Sequence, residues 1–124
     1  MRLLIDTQVL IWILIDHPRL KSPIRDLVTS SDRVHVSTAS IWEISLKRAQ
    51  GRLSVPDDLV DRVRTSAIEA IPVTMEHGWL AGGLPMLHAD PFDRLIVAQA
   101  IAEGLTIVTS DRRIREYGVP TIAA

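Results

Sequence analysis

Residues 88–111 read HADPFDRLIVAQAIAEGLTIVTSD. Asp90 suits the N-cap of a helix, Pro91 its first position and Asp93 its opening turn, and the apolar run behind them continues to Gly104, a usual C-terminal stop. The next five residues, LTIVT at 105–109, are a strand-length apolar run closed by Ser110 and Asp111. A helix over about 92–103 that passes through one glycine into a buried strand is the repeating unit of an α/β layer fold. The carboxylates that open this unit, Asp90 and Asp93, admit two readings, helix capping and chemistry, and the choice between them has to come from the rest of the chain.

The same alternation extends in both directions. RLLI at 2–5 is a first strand, with a helix over about 7–15 behind it. Ser22 and Pro23 open a helix to about residue 30, VHVS at 34–37 is a second strand, and a helix over about 39–50 stops at Gly51. PDD at 56–58 starts a helix over about 57–67, and IEAIPV at 68–73 is a third strand. From Met75 to Leu87 the pattern predicts only a short helix interrupted by Gly82 and Gly83. After strand 105–109, DRRIREYG forms a short helix and VPTIA a terminal strand. The expected fold is α/β, with a mainly parallel central sheet flanked by helices.

Bulk properties narrow the function classes. The 124 residues are the length of one domain, here 1–124, and suffice to bury a core without staples. The absence of cysteine excludes a disulfide framework, a thiolate zinc site and a cysteine nucleophile, and is compatible with the cytoplasm. The N-terminal apolar run is broken by Asp6 and Gln8, far short of the ~20 residues that a bilayer requires, so no membrane role is expected. A formal net charge of -1 means that any contact with nucleic acid must be local.

In an open parallel sheet the loops leaving the carboxyl ends of the strands share one edge, and ligands bind there. Four carboxylates fall on that edge: Asp6 after the first strand, Glu43 about one turn into the helix after the second, Asp93 at the start of the helix before the fourth, and Asp111 after the fourth. Each has an ordinary structural reading. Asp6 and Asp111 can cap helices, Asp93 can complete the cap at Asp90, and Glu43 with Lys47 is an i, i+4 ion pair worth only about 0.2–0.5 kcal/mol. Four carboxylates converging at close range, however, require raised pKa values or a bound cation. An oxygen donor set without cysteine or a paired histidine favours Mg²⁺ or Mn²⁺ over zinc, and such ions suit phosphodiester hydrolysis.

Four segments, LLIDTQVLIW, STASIWEISLK, DPFDRLIVAQA and TIVTSDRRIREYGVPTI, in this order and spacing, resemble the PIN-domain ribonucleases, specifically the VapC-type toxins of type II toxin-antitoxin pairs. The resemblance covers essentially the whole chain and implies a single PIN-like α/β/α sandwich. It implies that Asp6, Glu43, Asp93 and Asp111 are the acidic metal-binding and catalytic set, with Thr7 and Thr109 in support, and it gives Asp93 priority over Asp90, which is left a supporting role as the start of the helix. It further implies Mg²⁺-dependent cleavage of RNA (Mn²⁺ an alternative ion), inhibition of translation, a cognate antitoxin as partner, and a homodimer. Ala89 stands where related sequences often carry a basic residue.

Among the flanking cations, Arg94 and Arg112 adjoin the proposed ligands, and with Lys47 they are candidates to hold RNA phosphates. His88 reads either as a structural residue of the turn or as a proton shuttle. Trp12 and Trp42 belong to apolar helical faces and are expected in the core, whereas Trp79, among Leu80, Leu84, Met86 and Leu87, suits a subunit or antitoxin contact. Two other classes compete with a nuclease. A phosphorylation receiver needs paired acids after the first strand, an Asp after the third and a late Lys; here Asp6 stands alone, PVTMEHG follows strand three, and no Lys occurs beyond residue 48. The alternative within the family is a degenerate or non-toxin PIN domain that only binds RNA or protein, against which the complete acidic set argues.

Overall fold

A computed structural model describes residues 1–31 and 33–124 of the chain. Strands β1 (Arg2–Ile5), β2 (Arg33–Ser37), β3 (Ile68–Ile71), β4 (Thr106–Thr109) and β5 (Thr121–Ala123) form one sheet in the order β3-β2-β1-β4-β5. Every pairing is parallel, and Ile5 lies opposite Val36 on one side and Val108 on the other. The sheet expected to be mainly parallel is parallel throughout.

Between the strands run α1 (Thr7–Leu14), α2 (Ser22–Ser30), α3 (Thr38–Ala49), α4 (Leu59–Thr65), α5 (Met75–Gly83), α6 (Pro91–Glu103) and α7 (Arg112–Arg115). Alternation along the strands divides the core into two layers. Leu3, Ile5, Val34, Val36 and Val108 pack with Val9 and Leu10 of α1, Ile24 of α2, Ile44 of α3 and Val63 of α4. Leu4 and Ile107 pack in the other layer, with Ile96, Val97 and Ala100 of α6 and Ile114 of α7. Gly104 ends α6 in the left-handed conformation at φ 67°, which a residue with a Cβ adopts only at a cost, and Leu105 N–H donates back to Ala100 O.

Two expectations are corrected. Trp12 is buried, but Trp42 is 63% exposed and stands edge-on to Phe92, with ring centroids 5.3 Å apart. Helix α3 buries Ala39, Ser40, Glu43 and Ile44, which leaves position 42 on the outward side of the helix. The interruption expected at Gly82 and Gly83 is absent: α5 runs without a break from Met75 to Gly83. At its start Thr74 and His77 form a reciprocal capping box, and at its end the carbonyls of Ala81 and Leu84 accept from the guanidinium of Arg94, at 2.8 and 3.0 Å. A donor from α6 thus satisfies acceptors that a glycine-rich C-terminus would otherwise leave orphaned.

The chain steps outward from β1 through β2 to β3, and on the opposite side from β4 to β5. The reversal between β1 and β4 opens a crevice at their carboxyl ends. Asp6 follows β1 and Asp111 follows β4, so both carboxylates stand at that crevice. Among the described residues, no helix is long and apolar enough to cross a membrane.

Candidate metal centre at the strand-order switch

Asp6 is the N-cap of α1: its Oδ1 accepts from Val9 N–H at 2.9 Å, and its Oδ2 accepts from the hydroxyl of Thr109. Thr109 in turn accepts from Asp111 N–H at 2.9 Å, so one hydroxyl spans the ends of β1 and β4. Burial removes water from the Asp6 carboxyl and pushes its pKa up from 3.8 to about 6, against the lowering effect of the bonds from Thr109 and Val9, with Asp111 and Glu43 adding repulsion.

Glu43 approaches from α3. Its Oε1 accepts from Thr7 Oγ1 at 2.7 Å, and Thr7 shares a further 2.9 Å hydrogen bond with Ser40, one turn before Glu43. Its Oε2 pairs with Lys47 Nζ at 2.6 Å. Glu43 is buried while Lys47 is half-buried, so the pair is a fixed part of the wall and not a solvated surface contact.

The other wall comes from the start of α6 and the turn after β4. Asp90 caps α6, with Oδ1 accepting from Phe92 N–H at 2.8 Å and Asp93 N–H at 3.2 Å, which leaves the Asp93 side chain one turn in and directed at His88. His88 Nε2 lies 2.8 Å from Asp93 Oδ2 and 3.0 Å from Asp111 Oδ2, and the ligand-type atoms of the three side chains lie within 4.8 Å of one another. Asp111 caps the short α7 through Arg113 N–H. Desolvation, joined by the charges of Asp90, Glu43 and Asp6 and opposed by His88, pushes the Asp93 carboxyl up to about 7.

These groups line a single open cleft of about 670 Å³, which also takes in Gln8, Ile11, Arg52, Ser110 and Arg112. The fold therefore brings Asp6, Glu43, Asp93 and Asp111 to one cleft from four separate segments, with Thr7, Thr109 and Asp90 holding them. Carboxyls pushed towards neutrality by burial and mutual repulsion, beside an otherwise oxygen-rich donor set, suit a hard divalent cation, whose charge would oppose both effects.

The family model for the PIN domain matches residues 3–120. The chain belongs to the PIN-domain family. Ribonuclease VapC22 of Mycobacterium tuberculosis is 31% identical to it over 125 residues, covering 94% of this chain and 92% of that protein. The crystal structure of VapBC2 from Rickettsia felis bound to a DNA fragment from their promoter shares the fold at a TM-score of 0.74 and 17% identity, over 99% of this chain and 98% of that one. DNA-bound VapBC from Salmonella typhimurium matches at 0.69 and 16% identity, over 99% and 98% of the respective chains.

The flanking cations of this PIN domain separate into two kinds. Lys47, Arg52 and Arg112 line the cleft. Arg94, expected to face RNA phosphates, does not: it is buried, and its guanidinium donates to the carbonyls of Ala81, Leu84 and Pro85 and to the hydroxyl of Tyr117. Adjacency to Asp93 in sequence put Arg94 beside the site, but one step along a helix turns a side chain about 100°, into the α5 wall. One site residue escaped the sequence: Ser40, which carried a usable signal, since it stands three positions before Glu43 on the same helical face. His88 had two readings, turn residue or proton shuttle, and the structure sets it between Asp93 and Asp111.

Proposed function

We propose that this PIN domain is a metal-dependent endoribonuclease of the VapC type: a toxin that cuts RNA in the cytoplasm, stops translation, and is held inactive by a cognate antitoxin. The observation that carries this reading is the convergence of Asp6, Glu43, Asp93 and Asp111 from four segments at one cleft, two of them with carboxyls pushed up to about 6 and about 7. The four would hold Mg²⁺, with Mn²⁺ an acceptable substitute. Bound there, the ion acidifies the attacking water and offsets charge on the scissile phosphate.

The remaining residues position and neutralise. Thr109 orients Asp6 and, through its contact with the Asp111 amide, fixes the separation of the two strand ends. Thr7 and Lys47 fix both oxygens of Glu43. Arg52 and Arg112 on the rim supply the local positive charge that a nearly neutral chain needs in order to hold RNA phosphates. Trp79, 89% exposed with Met75 and Met86 also exposed, forms the apolar surface expected for a homodimer or antitoxin contact.

The test is cleavage of RNA by the purified chain with and without Mg²⁺. Activity that requires the ion and is lost in Asp6→Asn and in Asp93→Asn, both folded by circular dichroism, supports the reading. Cleavage retained in both variants sinks the assigned site. A neighbouring reading frame encoding a small protein with a DNA-binding segment and a tail able to cover the cleft would support the toxin role.

A further inference from the structure

His88 is almost fully buried between the two carboxylates of the outer wall, and its neighbours fix which of its nitrogens carries hydrogen. Asp90 N–H lies 3.3 Å from His88 Nδ1. A backbone amide only donates, so Nδ1 faces it as an acceptor, and a neutral imidazole whose Nδ1 accepts holds its proton on Nε2. That Nε2–H then donates to Asp111 Oδ2, 3.0 Å away, and lies 2.8 Å from Asp93 Oδ2, at ion-pair distance. A nitrogen that holds hydrogen has no lone pair to give a cation, although the three-residue cluster has the spacing of a ligand triad.

We propose that His88 is a positioning residue, an N–H tether that joins the carboxylates of Asp93 and Asp111 and sets their spacing for the cation, and not a ligand of that cation. The inference rests on the metal reading above. The backbone around His88 is built to hold such a tether still. His88 N–H donates to Tyr117 Oη at 3.1 Å, Tyr117 donates to Pro85 O at 2.9 Å, and Arg94 reaches both Tyr117 Oη, at 3.2 Å, and His88 O, at 3.4 Å. Buried Arg94 and half-buried Tyr117 thereby brace the loop from two sides. The contact from the Asp90 amide adds a third constraint, on the ring itself, and comes from the residue whose side chain caps α6. One short segment therefore sets the start of the helix that bears Asp93 and the orientation of the ring that holds it.

The deciding measurement is ¹⁵N NMR of the full chain labelled at histidine, with and without Mg²⁺, which is diamagnetic and leaves the ring signals readable. We expect His88 in the Nε2–H form in both states, while backbone amides near Asp6 and Asp93 shift with Mg²⁺ in the wild type and not in Asp93→Asn. Calorimetric Mg²⁺ affinity should fall about 10–100-fold in His88→Leu, the loss usual for an outer-shell partner, and recover in large part in His88→Gln, which keeps an N–H at the Nε2 position. Loss of the Nε2 proton on adding Mg²⁺ would make His88 a ligand and overturn the proposal, as would His88→Leu binding Mg²⁺ as tightly as the wild type. If the wild type shows no Mg²⁺-induced shifts at all, the metal reading falls and the tether with it.

Discussion

The inner and outer walls of the cleft hold their acids in different ways. On the inner wall Asp6 and Glu43 are buried, and each of their four oxygens has a donor fixed by the fold: a helix amide, the hydroxyls of Thr109 and Thr7, and the ammonium of Lys47. On the outer wall Asp93 and Asp111 are more open, at 17% and 35% side-chain exposure, and one imidazole joins them. The inner acids serve the fold and the site at once, because the bond that caps α1 is also the bond that orients Asp6. Of the outer acids Asp111 caps α7, but Asp93 stands at some cost to the fold, since it is driven up to about 7 and strains against ionisation whenever no cation is present. Substitutions on the inner wall should therefore disturb stability and activity together, and on the outer wall the two should separate.

The largest effect tests whether the walls share one function. Asp6→Asn and Asp93→Asn should each lower Mg²⁺-dependent RNA cleavage by about 100-fold or more, because an isosteric amide keeps shape but removes the charge proposed to hold the ion. A variant on one wall that keeps near-normal turnover would show that the walls do not form one centre.

The next effect lies behind the outer wall. Arg94→Met should cost about 2–4 kcal/mol in chemical denaturation, since the carbonyls of Ala81, Leu84 and Pro85 lose their shared donor in a buried place. Unchanged stability with weakened RNA binding would return Arg94 to the role its sequence position suggested.

Asp93 separates the walls most directly, through pH. A carboxyl raised in the folded state binds its proton more tightly there than in the unfolded chain. Its stabilising contribution is complete below the unfolded value of 3.8 and is lost as pH rises towards about 7. Without metal, the Tm of the wild type relative to Asp93→Asn should therefore fall between pH 5 and pH 8, and at pH 8 the variant should melt several degrees higher. Asp6→Asn should show less of this gain, because Thr109 gives its proton to Asp6 while accepting from Asp111, and an amide nitrogen in place of Oδ2 leaves that proton without its acceptor. Equal gains in the two variants, read by differential scanning fluorimetry across that pH range, would erase the distinction between the walls.

The same division explains how much could be read before the fold was known. Asp6, Asp93 and Asp111 stand at helix starts next to strands, where capping chemistry and strand-end position are both visible in local sequence, and the alternation of apolar runs gave every strand. Capping, posed as one of two readings, is what the hydrogen bonds show at Asp6, Asp90 and Asp111, while the Asp93 side chain faces His88 and the cleft. His88 stood out in the sequence, but its place between Asp93 and Asp111 was not legible, because it depends on Tyr117 and Arg94, 29 and 6 positions away, gripping a loop that carries no periodic signal. Helix α5 was expected, but its unbroken run to Gly83 was hidden for the same reason: the donor that satisfies its glycine-rich end belongs to α6. Trp42 failed through composition, since an aromatic in an apolar run says nothing about which side of the helix is already filled.

The smallest effect concerns the rim. Lys47 and Arg112 both line the cleft, but Lys47 lies 2.6 Å from Glu43 Oε2, and its charge is already committed to the inner wall. Arg112 is exposed at the start of α7 on the outer wall, with its charge available to a phosphate. Removing one phosphate contact from a single-stranded RNA complex lowers the slope of log affinity against log salt by about 0.7. Arg112→Ala should therefore weaken RNA binding a few-fold and flatten the salt dependence by about that amount, with turnover at saturating RNA unchanged. Lys47→Ala should leave the slope closer to the wild type and instead lower Mg²⁺ affinity, because Glu43 loses the partner that fixes its second oxygen. If the two variants exchange these signatures in a salt titration of RNA binding, the assignment of the rim charges is reversed, and the inner wall is less completely fixed by the fold than its hydrogen bonds imply.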